Sequence, residues 1–407
     1  MDNVRRNGDV MIEETFDFNT PINRRNTDCL KYDFAIRRGK PENILPLWIA
    51  DMDFKTSEKI LDAIKERVDH GIFGYTESQG SYLESVATWM REKHKWEIKR
   101  NWLVKTPGVV FALAMAVKAY SKVGDAVLIQ QPVYYPFTEV IEDNERKVIS
   151  NDLVLGNDGI YHINFEDFER KIVENKISLF LFCSPHNPVS RVWTKEELLQ
   201  IGEICLKHKV TVVSDEIHED FVFGNRRHLV FSNVKKEFEN ITVTCTSPAK
   251  TFNLAGLQIS NIFIPNANLR QKFKKQIAAA GYSQLNTLGL TACEAAYRHG
   301  TTWYNEMMRY VENNITFMRD YIKRELPQIK MIEPEGTYLV WVDFRALNLS
   351  EPELEDLIVV KAKLWLDSGA MFGKIGEGFE RFNVACPRAT LKQALEQLKS
   401  AISNPDN

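Results

Sequence analysis

The chain has 407 residues, a formal net charge of −3, and a composition of 44% hydrophobic and 26% charged residues. This length and composition are ordinary for a globular protein with about two or three domains' worth of core, and the weak acidity excludes the basic surface that binds nucleic acid. No apolar stretch reaches the roughly 18 residues of a membrane span, and no charged and then apolar leader opens the chain, so we expect no membrane segment.

The six cysteines are dispersed along the chain, and no two of them have the close spacing of a disulfide framework or a zinc site. We therefore expect a reducing, cytoplasmic environment and no metal. Residues 1–13 are polar, and we predict that they form a disordered N-terminal extension.

The first informative element in chain order is the apolar run Val109–Val117, which follows Thr106–Gly108 and predicts a buried helix. The first amides of a helix have no partner inside it, and the helix dipole favours a negative charge there. This helix start can therefore hold an anion such as a phosphate. A glycine before a helix is common, so the pattern by itself is not specific.

Three later runs read as strands, and each is followed by side chains that can contact a ligand: Ala126–Gln130 by Tyr134 and Tyr135, Ile177–Cys183 by Asn187, and Val210–Ser214 by Asp215. Ligands of open α/β sheets bind at the carboxyl ends of the strands. Each position also has a structural interpretation, because a tyrosine can fill the core, Asn-Pro can form a turn, and an aspartate can cap a helix.

The rest of the chain alternates short apolar runs with helical patterns, which favours an α/β fold with a mostly parallel sheet. The pattern Thr194–Glu197 is a capping box and predicts a helix start. The run Thr337–Asp343 predicts a strand of a second sheet. No internal repeat or low-complexity linker is visible.

Lys250, in the segment Thr246–Leu257, connects these sites to one chemistry. A pyridoxal-phosphate cofactor needs an amine for a Schiff base, an acid for its ring nitrogen, a donor for its phenolic oxygen and a cup for its phosphate. Lys250, Asp215 and Asn187 supply the first three, and the helix start after Gly108 supplies the fourth. A lysine alone is usually a solvated surface charge, so the prediction depends on all four together.

At this point the chain resembles a known family through five motifs: Leu47–Phe54, Pro132–Phe137, Pro185–Val189, Asp215–His218 and Asn383–Arg388. From about Phe16 to Ile402 it is similar to the fold-type I pyridoxal-phosphate enzymes of the aminotransferase class I/II superfamily. Within that group it most resembles the MalY/PatB-type cystathionine β-lyases. His218 supports this, since many aminotransferases of the superfamily have tyrosine at that position.

The resemblance implies a role for each cofactor-binding residue: Lys250 carries the cofactor as a Schiff base, Asp215 pairs with its ring nitrogen, Asn187 binds its phenolate oxygen, Tyr134 stacks on its ring, His218 lies beside it, and Val109, Val110 and Ser247 hold its phosphate. Tyr75 matches a tyrosine that reaches the phosphate of the neighbouring subunit, which implies a homodimer with shared sites. Gln258 departs from the superfamily, where many members have a phosphate-binding arginine.

The resemblance assigns the substrate's α-carboxylate to Arg381, with Arg388 as the alternative and Tyr135 as a second substrate contact. An arginine suits this role because its planar fork of donors matches a carboxylate. No second arginine is identified for a distal acid group. We therefore expect tolerance of varied groups beyond the sulfur.

The implied fold is the fold-type I transferase fold. A large cofactor-binding domain spans residues 56–290, and residues 14–55 and 291–407 form a smaller α+β domain. The implied activity is β-elimination from L-cystathionine or a related cysteine S-conjugate, which releases a thiol, pyruvate and ammonia. The proton donor to the sulfur stays open among Lys250, Tyr134, Tyr135 and Tyr75.

Two other functions remain open on the sequence. The same residues can serve an aminotransferase of amino acids. A difference of about 1.4 kcal/mol between the two transition states at the branch point changes the ratio of elimination to amino transfer tenfold. A cofactor-binding regulator that acts through a protein partner is the third reading, since fold alone does not fix function.

Overall fold

The structure is a computed structural model that describes residues 16–403. The predicted disordered extension, residues 1–13, lies outside the described residues. The strands are β1 Leu45–Pro46, β2 Leu103–Thr106, β3 Ala126–Ile129, β4 Lys147–Ser150, β5 Val154–Leu155, β6 Tyr161–His162, β7 Leu179–Cys183, β8 Thr211–Asp215, β9 Thr242–Thr246, β10 Ser260–Phe263, β11 Lys330–Met331, β12 Leu339–Asp343, β13 Leu364–Trp365, β14 Asp367–Ser368 and β15 Phe379–Asn383.

The helices lie mainly between these strands. They are α1 Glu58–Asp69, α2 Gly80–His94, α3 Val109–Tyr120, α4 Pro136–Glu142, α5 Phe165–Glu174, α6 Lys195–His208, α7 Phe231–Val234, α8 Pro248–Thr251, α9 Ala267–Ala279, α10 Thr287–His299, α11 Thr301–Glu325, α12 Glu351–Glu355 and α13 Arg388–Ser403. A π-helical turn, Asp356–Lys361, continues α12.

A seven-stranded sheet forms the centre of the fold, in the order β2-β10-β9-β8-β7-β3-β4. Strand β10 is antiparallel to both of its neighbours, whereas β9, β8, β7, β3 and β4 pair in parallel. Helices cover both faces of such a sheet, so its strands are buried along their whole length. This explains the uninterrupted apolar sequence of β7, in which every residue is buried.

A second, four-stranded antiparallel sheet has the order β11-β12-β15-β14. The N-terminal segment joins this part of the molecule because β1 pairs in parallel with β13, with Leu45 opposite Leu364. The loop after β1, residues 47–54, then runs past the carboxyl edge of the large sheet, where Asn253 binds the backbone of Met52 and Phe54.

The prediction of a mostly parallel sheet with helices is confirmed. The predicted strands begin and end within two residues of β3, β7, β8 and β12, and Thr194 forms the expected capping box with Glu197 at the start of α6. The domain boundaries at residues 56 and 290 stay a prediction. Within residues 16–403, no helix combines the length and the hydropathy needed to cross a bilayer.

Candidate active site

A cavity of about 180 Å³ opens at the carboxyl edge of the large sheet. It lies where β2, β7, β8 and β9 end, because parallel strands present the same end to one edge. Most of the predicted cofactor-binding residues meet there: Lys250, Asp215, Asn187, Tyr134, His218, Val109, Val110 and Ser247 all line the cavity. The separate loops of the sequence therefore form one site.

Lys250 lies on α8, just after β9, and its amine points into the cavity. The Nζ atom donates to the carbonyl of Ala50 at 2.6 Å, and the Tyr338 hydroxyl donates to the same oxygen at 2.9 Å. Burial lowers the pKa of the Lys250 amine to about 8, although Asp51 opposes the shift. A substantial fraction of the amine is therefore neutral near physiological pH, and a neutral amine can act as a nucleophile or base.

Asp215 is the last residue of β8 and is 4% exposed. Its Oδ1 accepts from the backbone amide of Ile217 at 3.1 Å. Burial raises the pKa of the Asp215 carboxyl to about 7, and the Lys250 amine only partly offsets this. Such a carboxyl is suited to a cationic partner in the cavity, which would make ionisation favourable.

The start of α3 forms one end of the cavity. Its first intrahelical bond runs from the Ala112 amide to the Gly108 carbonyl, so the amides of Val109 and Val110 have no intrahelical acceptor. The Ser247 hydroxyl lies nearby, but it donates to the Ile259 carbonyl at 2.6 Å. Ser247 can bind a phosphate only if its proton turns away from that carbonyl.

Gln258 also lines this end of the cavity, with left-handed backbone at φ 50°. Its amide is neutral, and we therefore expect a phosphate here to depend mainly on the helix start. Gln258, which stands where many superfamily members have a phosphate-binding arginine, thus lies in the cavity lining.

Arg381 reaches the site from β15 and is 2% exposed. Its guanidinium donates to Asn187 Oδ1 at 2.9 Å and to the Trp48 carbonyl at 3.0 Å, and it forms an ion pair with Asp367. The Nε atom is buried without a partner. Because a buried donor without a partner is costly, this free N–H is suited to receive a substrate carboxylate.

Arg388, the alternative carboxylate-binding residue, is engaged elsewhere. Its Nε donates to Asn314 Oδ1 at 2.7 Å, and its guanidinium lies 4.5 Å from the ring centroid of Phe317. Both partners belong to α11. The geometry therefore favours Arg381 for this role.

Of the other predicted residues, His218 lines the cavity, whereas Tyr135 and Tyr75 lie outside its lining. The His218 ring is buried in the cavity wall, where burial holds its pKa well below the ordinary range and its Nδ1 has no partner. Tyr135 lies outside the cavity lining, with its ring 5.2 Å from that of Tyr134. Tyr75 is 98% exposed and lies outside this chain's cavity, so within the described residues it does not contribute to the site.

Several contacts of the site were missed by sequence reasoning. The Ala50 and Trp48 carbonyls belong to the motif Leu47–Phe54, which was noticed without a role being given to it. Asp367, the ion partner of Arg381, lies in an apolar run that carries no motif. A backbone carbonyl has no signature in sequence, and only the fold brings Asp367 to Arg381.

These residues fit pyridoxal phosphate. The cavity has an amine for the carbonyl carbon, a buried carboxyl without a cationic partner for the ring nitrogen, an amide side chain at Asn187, and free helix amides for the phosphate. Arg381 lies behind the cavity lining, where it contacts Asn187, and its Nε donor has no partner that would compete with an amino-acid carboxylate. The residues at the site therefore match each polar group of the cofactor and the α-carboxylate that its amino-acid substrates share.

Comparisons with known proteins agree with this geometry. Residues 42–398 match the family described as aminotransferase class I and II. Over 380 residues the chain is 43% identical to cystathionine beta-lyase PatB of Bacillus subtilis (strain 168), a match that covers 93% of this chain and 98% of that protein.

Two solved structures have the same fold along nearly the whole chain. Cystalysin from Treponema denticola, which contains a pyridoxal 5'-phosphate cofactor, has a TM-score of 0.93 at 37% identity and covers 97% of this chain and 100% of its own. A PLP-bound putative aminotransferase from Clostridium difficile 630 has a TM-score of 0.93 at 41% identity and covers 95% of this chain and 100% of its own.

Proposed function

The chain belongs to the aminotransferase class I and II family, and we propose that it is a pyridoxal-phosphate-dependent carbon–sulfur β-lyase. It cleaves L-cystathionine or a related cysteine S-conjugate, with one water, to a thiol, pyruvate and ammonia. The observation that carries this assignment is the match with the Bacillus subtilis cystathionine beta-lyase over nearly the full length of both chains.

Arg381 binds and orients the substrate. The three contacts that fix its guanidinium leave Nε free, and Nε then donates to the α-carboxylate of an amino acid. Asn187 is held by the same guanidinium, so its amide is fixed in relation to the bound substrate. This arrangement places the α-carbon without a large loss of entropy at the reacting step.

Lys250 moves the proton. With its pKa near 8, the amine can accept the α-proton of the substrate, and Asp215 keeps a proton at the ring nitrogen of the cofactor. The bound cofactor supplies an electron sink for the pair left at the α-carbon. The bond between the β-carbon and sulfur then breaks. Its electron pair leaves with the thiolate, and the pair from the α-carbon forms the double bond between the α- and β-carbons.

The departing sulfur needs a proton. Burial raises the pKa of both Tyr134 and Tyr135, so both hydroxyls are protonated at neutral pH, and the Lys250 ammonium carries the proton taken from the α-carbon. These three groups are candidate donors from this chain. Tyr75 of a second subunit is the fourth candidate.

We extend the proposal to assembly and compartment. A homodimer in which Tyr75 reaches the partner's site is supported by its exposure and by the neighbouring exposed side chains of Ile72 and Phe73. All six cysteines are free, and five of them are buried, as suits a reducing cytoplasm.

A second candidate function is amino transfer, which is favoured by the likeness to the putative aminotransferase of Clostridium difficile. One experiment separates the two. The holoenzyme is incubated with L-cystathionine, and pyruvate is measured by lactate dehydrogenase. In parallel, transfer of an amino group to added 2-oxo acids is measured by chromatography. We expect pyruvate without any added 2-oxo acid, and turnover that requires a 2-oxo acid would overturn the lyase proposal.

A further inference from the structure

Arg38 lies close to the proposed substrate-binding residues, and among the described residues it has no acidic partner. It ends the short helical turn Ile36–Arg38, which Gly39 terminates in the left-handed conformation at φ 73°. The side chain is exposed, and within residues 16–403 no carboxylate lies at ion-pair distance from it. Its guanidinium instead lies over the ring of Trp48, with Cζ 5.5 Å from the centroid.

Trp48 connects this guanidinium to the carboxylate-binding arginine. Its backbone carbonyl accepts from Arg381 Nη2 at 3.0 Å, and its indole ring stacks on Trp365 with centroids 4.4 Å apart. Trp365 lies two residues before Asp367, the ion partner of Arg381. Because Arg381 holds its backbone carbonyl and Trp365 packs on its ring, the Trp48 ring is held in place beside Arg381.

The charge of Arg38 also reaches the Tyr135 hydroxyl. Burial raises the pKa of the Tyr135 hydroxyl, Asp367 adds to that effect, and Arg38 is close enough to oppose it. The Tyr135 ring packs against Tyr134, which lines the cavity. Arg38 therefore lies over Trp48, whose carbonyl Arg381 binds, and within electrostatic range of Tyr135.

We propose that Arg38 binds a second, distal carboxylate of the substrate, on the far side of the sulfur from the α-carboxylate. The substrate class is thus a cysteine S-conjugate whose leaving thiol carries an acid, as cystathionine and cystine do. A guanidinium held on an aromatic face keeps its donors pre-organised, and it binds a carboxylate through two parallel hydrogen bonds. The proposal rests on the proposed lyase function, and it adds the acid-binding residue that the sequence did not identify.

The test uses two substrates that differ in one charge: S-(2-carboxyethyl)-L-cysteine and its neutral amide, S-(2-carbamoylethyl)-L-cysteine. Pyruvate formation gives kcat/KM for each with the wild-type holoenzyme, Arg38→Ala and Arg38→Lys. The matched control is Arg37→Ala, because Arg37 belongs to the same turn and is exposed, and the described residues give it no aromatic partner.

We expect Arg38→Ala to lower kcat/KM for the carboxylate substrate about tenfold, mainly through KM, since a contact worth about 1.4 kcal/mol is lost. The amide substrate should stay within about twofold, Arg38→Lys should recover part of the loss, and Arg37→Ala should change neither. The preference of the wild type for the carboxylate should also weaken with added salt, because the contact is at the rim.

Two results would contradict the inference, and a third concerns the activity itself. Equal losses for both substrates in Arg38→Ala, or no loss for either, would show that Arg38 does not recognise the distal acid. In both cases pyruvate is still formed, so the lyase function stands. If the wild-type holoenzyme forms no pyruvate from either substrate, the lyase function fails, and the inference about Arg38 fails with it.

Discussion

At the scale of single residues, Lys250 and Asp215 are shifted in opposite directions by the same cause. Burial lowers the pKa of the amine and raises that of the carboxyl, so both lie between about 7 and 8. A buried charge without a partner is unfavourable, and each group therefore tends toward its neutral form. The site thus suits a cofactor whose carbonyl reacts with the Lys250 amine and whose cationic ring nitrogen pairs with the Asp215 carboxyl.

The first prediction concerns the pH dependence of cofactor binding to the apoenzyme. Only the neutral Lys250 amine is nucleophilic, and its pKa is about 8. The rate at which pyridoxal phosphate binds covalently should therefore rise as the pH increases through about 8 and level off above it. Stopped-flow absorbance between pH 6.5 and 9.5 measures this rate, with Lys250→Ala as the control for non-covalent binding. A pH-independent rate would contradict the assignment.

A second prediction concerns Asp215→Asn. An amide has nearly the shape of the carboxyl but cannot hold a proton at the ring nitrogen, so we expect the variant to keep the cofactor while kcat for elimination falls by about two orders of magnitude or more. Equilibrium dialysis establishes the cofactor content, and pyruvate release gives the rate. Wild-type kcat at full cofactor occupancy would assign the ring nitrogen to another residue.

Tyr134, Asn187 and Asp215 were predictable because each follows a strand whose apolar sequence is plain, and strand ends converge at one edge of the sheet. Lys250 was identified only from its combination with these loops. The choice of Arg381 over Arg388 came from resemblance and stays a prediction, which the contacts favour because Arg388 is held by α11. The contributions of Ala50 and Trp48 could not be predicted, because they act through backbone carbonyls that every residue has.

At the scale of elements, a buried polar network holds α8 in place. Asp220 accepts from Trp89 and Thr251, at 3.1 and 2.6 Å, and lies 2.9 Å from His94 Nε2. Trp89 and His94 belong to α2, and Thr251 is the residue after Lys250. The end of α2 thus fixes the helix that carries the Lys250 amine.

Glu219 lies beside this network without a hydrogen bond at Oε2, which is 3.8 Å from His94 Nε2. Burial raises its pKa well above the ordinary value of 4.5, and the carboxylates of Asp220 and Glu216 add to the shift. The Glu219 carboxyl therefore binds its proton more tightly in the folded chain than in the unfolded chain. The stability that this proton contributes is complete below pH 4.5 and is lost as the pH rises through the folded-state pKa.

The third prediction follows from that sign. Glu219→Gln removes the titrating group, so its free energy of unfolding should exceed that of the wild type by about 1 to 3 kcal/mol at pH 8, and the difference should shrink toward pH 4.5. Urea unfolding followed by circular dichroism gives both values. Glu216→Gln is the contrasting control, because Glu216 Oε2 lies 2.7 Å from His228 Nε2 and its loss should destabilise the fold. A gain independent of pH would contradict the prediction.

Sequence patterns predicted elements unevenly. The capping box fixed the start of α6, because the two reciprocal bonds of Thr194 and Glu197 are local. The reversed direction of β10 was not predicted, since strand direction depends on the side from which the chain enters the sheet. The pairing of β1 with β13 was missed for a similar reason, because two-residue strands carry no periodicity.

At the scale of the whole molecule, the described chain leaves apolar side chains exposed in the segment that carries Tyr75. Ile72, Phe73 and Tyr75 are all more than half exposed, and the segment lies against residues 281–288 across an open groove. A surface of this kind is typical of a protein contact. It supports the proposed homodimer, in which this segment of one subunit would complete the site of the other.

The fourth prediction tests shared sites by complementation. Tyr75→Ala and Lys250→Ala should each lose most of the elimination activity. In mixed dimers one site has Lys250 from one subunit and Tyr75 from the other, so random mixing should restore about a quarter of the wild-type activity. Activity is measured after the two variants are unfolded and refolded together, and sedimentation verifies the dimer. No recovery in verified mixed dimers would mean that Tyr75 does not serve the partner's site.

The order in which the chain is synthesised has a consequence for when this site can exist. The Trp48 carbonyl and Arg381 Nη2 are separated by 333 positions, and the loop that holds Lys250 through Ala50 is anchored by the pairing of Leu45 with Leu364. A nascent chain can therefore form most of the large sheet while residues 45–48 still lack their partners at positions 364–381. We expect the substrate-binding end to be assembled last, after the final strand has left the ribosome, since contacts this distant in sequence are slow to close.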